Sequence, residues 1–315
     1  MIRVQQLCKS IQQRQIFTDI NMNLVEGDCF ALLGVNGCGK TILLRIIATL
    51  VKPTSGVVEI AGYDAFANLN RVRPLIGYVP QTFDGYPDLS VWEYLEFFAS
   101  AYKLDGALRA GCMKDVLDLM DLGELRKQNI AQLSLGQKRR LCLAKTFLHD
   151  PQIWILDETL SALDVRGQIE MQALIVELRA MGKTVVLSTN RPADVASTCN
   201  RLAILYKGNF ALYGDVAEIA GQITRSHRLE IDVMEGIDKA EALLHNRSNF
   251  MSFEVTGSRI LIDSQMTEIE VSNLLKDLIH AGAAISRFQK TERWLDDLFM
   301  DVTLPASAGE IVDEI

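Results

Sequence analysis

Hydrophobic positions along the chain change their period several times, and each change marks an element. Residues 2–7 and 17–24 alternate apolar and polar side chains, the two-residue period of strands with one buried face, and they predict an antiparallel edge sheet. Residues 30–33 are continuously apolar, as a strand buried on both faces must be. A helix is predicted over 41–50, a loop over 52–56, a strand over 57–60, and another over 76–79 that ends at Pro80 and Gln81. Across 91–102 and 108–120 the apolar residues recur at three and four, so two or three amphipathic helices form an insertion spanning about 84–132. Ser134 caps a helix that runs to 149. A buried strand over 153–157 and further strands over 184–188 and 202–205 complete a doubly wound α/β sheet. Such sheets bind ligands at their carboxyl edge, where Gln81, Asp157 and Asn190 all fall.

From Arg228 the pattern restarts. Strands over 229–233, 250–255, 259–263 and 284–288 and helices over 237–245 and 268–281 follow in the order β-α-β-β-α-β, with Gly257-Ser258 as a hairpin turn. This predicts a small ferredoxin-like α+β domain over 226–303 behind a larger domain over 1–222. Residues 304–315 are small and acidic and are expected to be a disordered tail.

Chemistry enters where the central strand breaks into glycines. Gly34-Val35-Asn36-Gly37-Cys38-Gly39-Lys40-Thr41 has the spacing of a phosphate-binding loop between a strand and a helix N-terminus. Gly37 and Gly39 let the backbone approach a polyphosphate with no Cβ in the way. Lys40 supplies a point charge for the β/γ oxygens, and the Thr41 hydroxyl is placed to ligate Mg²⁺. A second signal is the strand at 153–157, which closes on the carboxylates Asp157 and Glu158. Charges rarely end an apolar strand unless they are used, and Mg²⁺ is the ligand they suit.

Composition narrows the class. The chain has 315 residues, 49% hydrophobic and 23% charged, and a net charge of −8, which argues against general nucleic-acid binding. The greasiest run, 41–51, contains Arg45 and falls well short of the ~20 apolar residues that span a bilayer. The N-terminus carries no apolar signal core, so the cytosol is the expected compartment. Six cysteines, at 8, 29, 38, 112, 142 and 199, form no C-x-x-C pair, and reduced thiols are expected.

The order of these motifs resembles the ATP-binding cassette subunit of ABC transporters over about residues 1–220, a P-loop NTPase fold with a parallel core sheet, an antiparallel edge sheet and a helical insertion. The resemblance implies roles. Gly34, Asn36, Gly37, Cys38, Gly39, Lys40, Thr41 and Ile42 would surround the phosphates of ATP, and Thr41, Gln81 and Asp157 would hold Mg²⁺. Glu158 would be the catalytic base, with Gln81 and Asn190 beside it. Ser134, Gly136 and Gln137 would form the signature, which serves the nucleotide of a second subunit, and Ser161-Ala162-Leu163-Asp164 the D-loop. Trp294-Leu295-Asp296-Asp297-Leu298-Phe299 is similar to the closing motif of ATPase subunits in ABC-2 drug and polysaccharide exporters. Implied partners are a membrane-spanning permease and a second ATP-binding subunit, identical or not, with no nucleic acid. The implied location is the inner face of the cell membrane, peripherally bound.

The departures from that family's pattern are specific. Ile11 occupies the place of an aromatic residue that stacks on adenine, and Ile42 that of a second hydroxyl reaching the α-phosphate. Leu135 replaces the first glycine of the signature, Thr159-Leu160 replaces Pro-Thr, and Asn190 replaces a histidine that would contact the γ-phosphate. Losing one preorganised transition-state donor typically costs about 10²–10³ in rate, so slow turnover is expected. The alternative is a nucleotide-dependent regulatory clamp, or the degenerate half of a heterodimer.

Overall fold

The computed structural model describes residues 1–83, 85–160, 163–224, 227–245, 247, 250–292 and 295–303. Ser161, Ala162, Trp294 and the tail over 304–315 lie outside the described residues. The chain divides into two compact units, Met1–Asp215 and Val216–Ile315.

In the first unit the strands are β1 (Ile2–Ile11), β2 (Arg14–Leu24), β3 (Cys29–Leu33), β4 (Ser55–Ile60), β5 (Tyr63–Asp64), β6 (Ile76–Val79), β7 (Ile153–Asp157), β8 (Thr184–Thr189), β9 (Arg201–Tyr206) and β10 (Asn209–Asp215). Its helices are α1 (Lys40–Ile47), α2 (Leu69–Val72), α3 (Val91–Ala101), α4 (Gly106–Leu119), α5 (Leu135–Phe147), α6 (Val165–Ala180) and α7 (Ala193–Ala196). Strands β2-β1-β4-β5 form the antiparallel edge sheet, and β10-β9-β3-β8-β7-β6 form the central sheet. Every central pair is parallel except β9 with β10.

Strand β10 is not announced by the apolar pattern. It is made by a two-residue hairpin in which Lys207 and Gly208 both take positive φ, 47° and 82°, the geometry that matches strand twist. Alternation along β1 is also broken once. Gln6 has φ 48° at a register shift, so Leu7 rather than Gln6 turns inward beside Ile2 and Val4. The two sheets share one core. Leu43, Leu44, Ile46 and Ile47 of α1 are buried among Ile2, Val4 and Phe17 of the edge sheet and Phe30, Ile155 and Val186 of the central sheet. That burial fixes the axis of α1, and with it the direction in which the preceding loop points.

In the second unit, α8 (Val216–Thr224) is followed by β11 (His227–Glu235), α9 (Ile237–His245), β12 (Ser252–Thr256), β13 (Arg259–Ser264), α10 (Glu268–His280), β14 (Ala284–Glu292) and α11 (Leu295–Thr303). The boundary placed at 222 from sequence therefore falls inside α8. The sheet order β12-β13-β11-β14, antiparallel throughout, is that of a ferredoxin-like fold. Its core joins Leu229, Ile231, Ile260 and Ile262 to Leu244, Leu274 and Leu278 of the helices. Arg228 makes a forked contact with Asp263 and also reaches Asp297 and Asp301 of α11, whose Leu295 and Phe299 are buried. Among the described residues, no helix is long and apolar enough to cross a membrane.

Candidate functional site

The glycine loop lies between β3 and α1, and its backbone explains its composition. Gly37 and Gly39 adopt φ of 79° and 111°, the left-handed region that glycine enters without steric cost. A Cβ at Gly34 would stand 2.5 Å from Cys38 Sγ and 2.8 Å from Leu205 O, and one at Gly39 would stand 2.9 Å from Ile16 Cγ2. No side chain caps α1, whose N-cap is Gly39 itself. Its first amides therefore face the loop with their partial positive charge, as anion sites require.

Lys40 is 3% exposed. Its Nζ donates to the carbonyls of Gly34 at 2.8 Å and Val35 at 3.2 Å and lies 3.1 Å from Glu158 Oε1. Gln81 Nε2 donates to the other oxygen of Glu158 at 2.6 Å. Glu158 itself has φ 46°, an unfavourable conformation for a residue with a Cβ. Its backbone is anchored there because its N–H donates to Ser188 Oγ at 2.9 Å.

Asp157 closes β7 with no exposed surface. Thr41 Oγ1 and Ser188 Oγ donate to its Oδ1 at 3.1 and 2.8 Å, and the Tyr78 hydroxyl donates to its Oδ2 at 3.0 Å. Burial pushes the Tyr78 phenol up to about 12, so it remains a donor at neutral pH. Asn190 Nδ2 donates to Asn36 Oδ1 at 3.3 Å, which ties the end of β8 to the loop. Burial also raises the Cys38 thiol, keeping it protonated inside the loop.

The residues expected from sequence thus separate into two groups. Lys40, Glu158 and Gln81 are in direct contact, as are Thr41 with Asp157 and Asn36 with Asn190. Ile42 turns its apolar side chain into the core around α1. Ile11 is 44% exposed at the tip of the β1–β2 hairpin. Ser134 and Gln137 close a capping box on each other at the start of α5, and the adjacent Leu135 is 78% exposed. Asp164 caps α6 by accepting from the Gly167 N–H at 2.9 Å. Sequence reasoning missed Tyr78 and Ser188, and it missed Arg139. The Arg139 guanidinium, buried on α5, donates to Pro80 O at 2.8 Å and Gln81 O at 2.9 Å.

An all-oxygen set of one hydroxyl and one carboxylate beside a phosphate loop fits Mg²⁺, which keeps several waters and takes its remaining ligands from phosphate. The buried cation, the glycine cradle and the uncapped helix fit a nucleoside triphosphate. Beside Gly37 and Cys38 lies a cavity of about 450 Å³, walled by Arg14, Ile16, Thr18 and Asn209.

Residues 17–161 match the ABC transporter family model. The chain is 30% identical over 307 residues to the ABC transporter ATP-binding protein YxlF of Bacillus subtilis, covering 96% of this chain and 99% of YxlF. It is 34% identical over 304 residues to YdbJ of the same organism, covering 96% and 95%. The linearmycin resistance ATP-binding protein LnrL of Bacillus subtilis is 26% identical over 308 residues, covering 96% and 98%. Among solved structures, the dimeric post-hydrolysis ATP-binding cassette MJ0796, bound to ADP and phosphate, superposes with a TM-score of 0.63 at 26% identity. That superposition covers 69% of this chain and 99% of MJ0796. With the loop, the paired carboxylates and the sheet order already in place, these similarities show that the chain belongs to the ABC transporter ATP-binding proteins.

Proposed function

We propose that this chain binds Mg·ATP at the loop around Lys40, hydrolyses it slowly, and powers export through a separate membrane-spanning subunit. The observation that carries the reading is the contact of Lys40 Nζ with Glu158 Oε1 at 3.1 Å, with Gln81 on the opposite oxygen. In that arrangement the carboxylate is engaged on both oxygens. When phosphate enters the cradle, Lys40 turns from Glu158 to the β/γ oxygens, and Glu158 is freed to accept the proton of an attacking water. Thr41 and Asp157 would hold the metal, with Tyr78 and Ser188 fixing the carboxylate, and a bound metal would supply positive charge for the phosphoryl group in transfer. Asn190 offers an uncharged amide at the strand end, and the smaller stabilisation it gives supports slow turnover.

At the start of α5, Ser134 and Gln137 bond to each other and Leu135 is exposed, which supports a head-to-tail pair of subunits in which Ser134, Gly136 and Gln137 of one chain serve the nucleotide of the other. Export is supported by the similarity to the Nod factor export ATP-binding protein I of Burkholderia pseudomallei, 29% identical over 234 residues. The test compares steady-state phosphate release by the full chain and by Glu158→Gln. Release is expected to fall by about 10²-fold or more with Mg·ATP binding retained. Equal release from both proteins would exclude Glu158 as the base and leave the regulatory clamp as the surviving reading.

A further inference from the structure

The loop places phosphates, but a nucleotide also needs a surface for its base. On the hairpin joining β1 to β2, Ile11 pairs directly with Arg14, and residues paired across an antiparallel ladder project on the same face. Ile16, two residues further along β2, lies at the register shift between the Ser10–Gln15 and Lys9–Phe17 pairs and is half-buried. Arg14 and Ile16 line the 450 Å³ cavity together with Gly37 and Cys38 of the loop, while Ile11 does not line it. The loop abuts the hairpin closely enough that a Cβ on Gly39 would strike Ile16. A nucleoside leaving the loop into this cavity has Arg14 and Ile16 within reach.

Among the described residues, the ring that lines this cavity is Phe17. Phe17 is completely buried in the core between the sheets, and Ile11 stands exposed at the hairpin tip. Arg14 is exposed, and among the described residues neither a hydrogen bond nor an ion pair engages its guanidinium. A guanidinium is planar, delocalised and weakly hydrated, and it stacks on aromatic faces in a way that a hydrated ammonium does not. Neighbouring Lys207 instead sits over the Tyr206 ring, 5.2 Å from its centre.

We propose that Arg14 is the nucleobase-binding residue of this chain: its guanidinium stacks on the purine against Ile16, in place of an aromatic side chain. The proposal rests on the assignment of the phosphates to the loop at Lys40. Because the interaction is with the face of the base, it contributes to binding of the nucleoside and not of the phosphates.

The experiment titrates the full chain and Arg14→Ala with Mg·ATP and with Mg·tripolyphosphate, which has the charge but no base, by calorimetry. Arg14→Ala is expected to weaken ATP roughly five- to tenfold and tripolyphosphate less than twofold. Arg14→Tyr is expected to restore ATP affinity with tripolyphosphate unchanged, since a flat ring replaces a flat cation. Equal weakening of both ligands would make Arg14 a phosphate charge and overturn the proposal, as would unchanged ATP affinity in Arg14→Ala or a failure of Arg14→Tyr to recover it. If the wild-type chain binds neither ligand, the assignment of phosphates to the loop fails first, and this proposal falls with it.

Discussion

The phosphate-loop corner and the signature corner of the same unit are built on opposite plans. Around Lys40 each group holds another, lysine to glutamate, glutamate to glutamine, aspartate to three hydroxyls, and all but Gln81 are buried or half-buried. At Ser134 the hydrogen bonds close locally on Gln137, and Leu135 projects into solvent. The first corner is organised before any ligand arrives. The second is only a rigid, capped helix end, whose shape is set but whose partner must come from elsewhere.

Three substitutions separate the corners, in decreasing order of effect. Lys40→Ala removes the buried side-chain cation of the cradle and should eliminate detectable Mg·ATP binding in a fluorescent-nucleotide titration. Wild-type affinity in that variant would mean that the buried corner does not hold phosphate. Asn190→His lengthens and strengthens the donor at the end of β8 and should raise kcat by about tenfold with little change in KM. A flat kcat would move the limiting defect to the exposed corner, with Leu135 the side chain to examine next. Ser134→Ala opens the capping box and should lower unfolding stability by about 1 kcal/mol, read from the denaturant midpoint. Mg·ATP affinity of the single subunit should stay unchanged, and a parallel loss of that affinity would show that the corners are not separable within one chain.

Much of this arrangement was legible from residue order. The loop is contiguous, so its spacing alone announces it, and Asp157 with Glu158 stands out because two charges end an apolar strand. The six alternating elements of the second unit could be read because nearly all keep one period, β14 with its register shifts excepted. What stayed hidden are relations across neighbouring strands. Ser188 lies beside Asp157 in the β7–β8 register, and Tyr78 reaches the same carboxylate from β6. In sequence both look like a polar residue at the end of an apolar run and an aromatic inside one. Asp164 illustrates the reverse case. The family resemblance singles it out, yet within this subunit its carboxylate is engaged in capping α6.

Arg139 gives the unit a mechanical property. Its two prongs are pinned to consecutive carbonyls, Pro80 and Gln81, while its stem belongs to the helix that begins at Ser134. It acts as a pushrod: travel of α5 is delivered to the peptide that carries the Gln81 amide, and that amide bears on Glu158. The stiffness of the linkage is set by two charge-assisted bonds and not by the slack of the loop after β6. Displacement of the signature helix is therefore geared to the carboxylate at the opposite end of the rod, and the two corners that differ most in construction share one moving part.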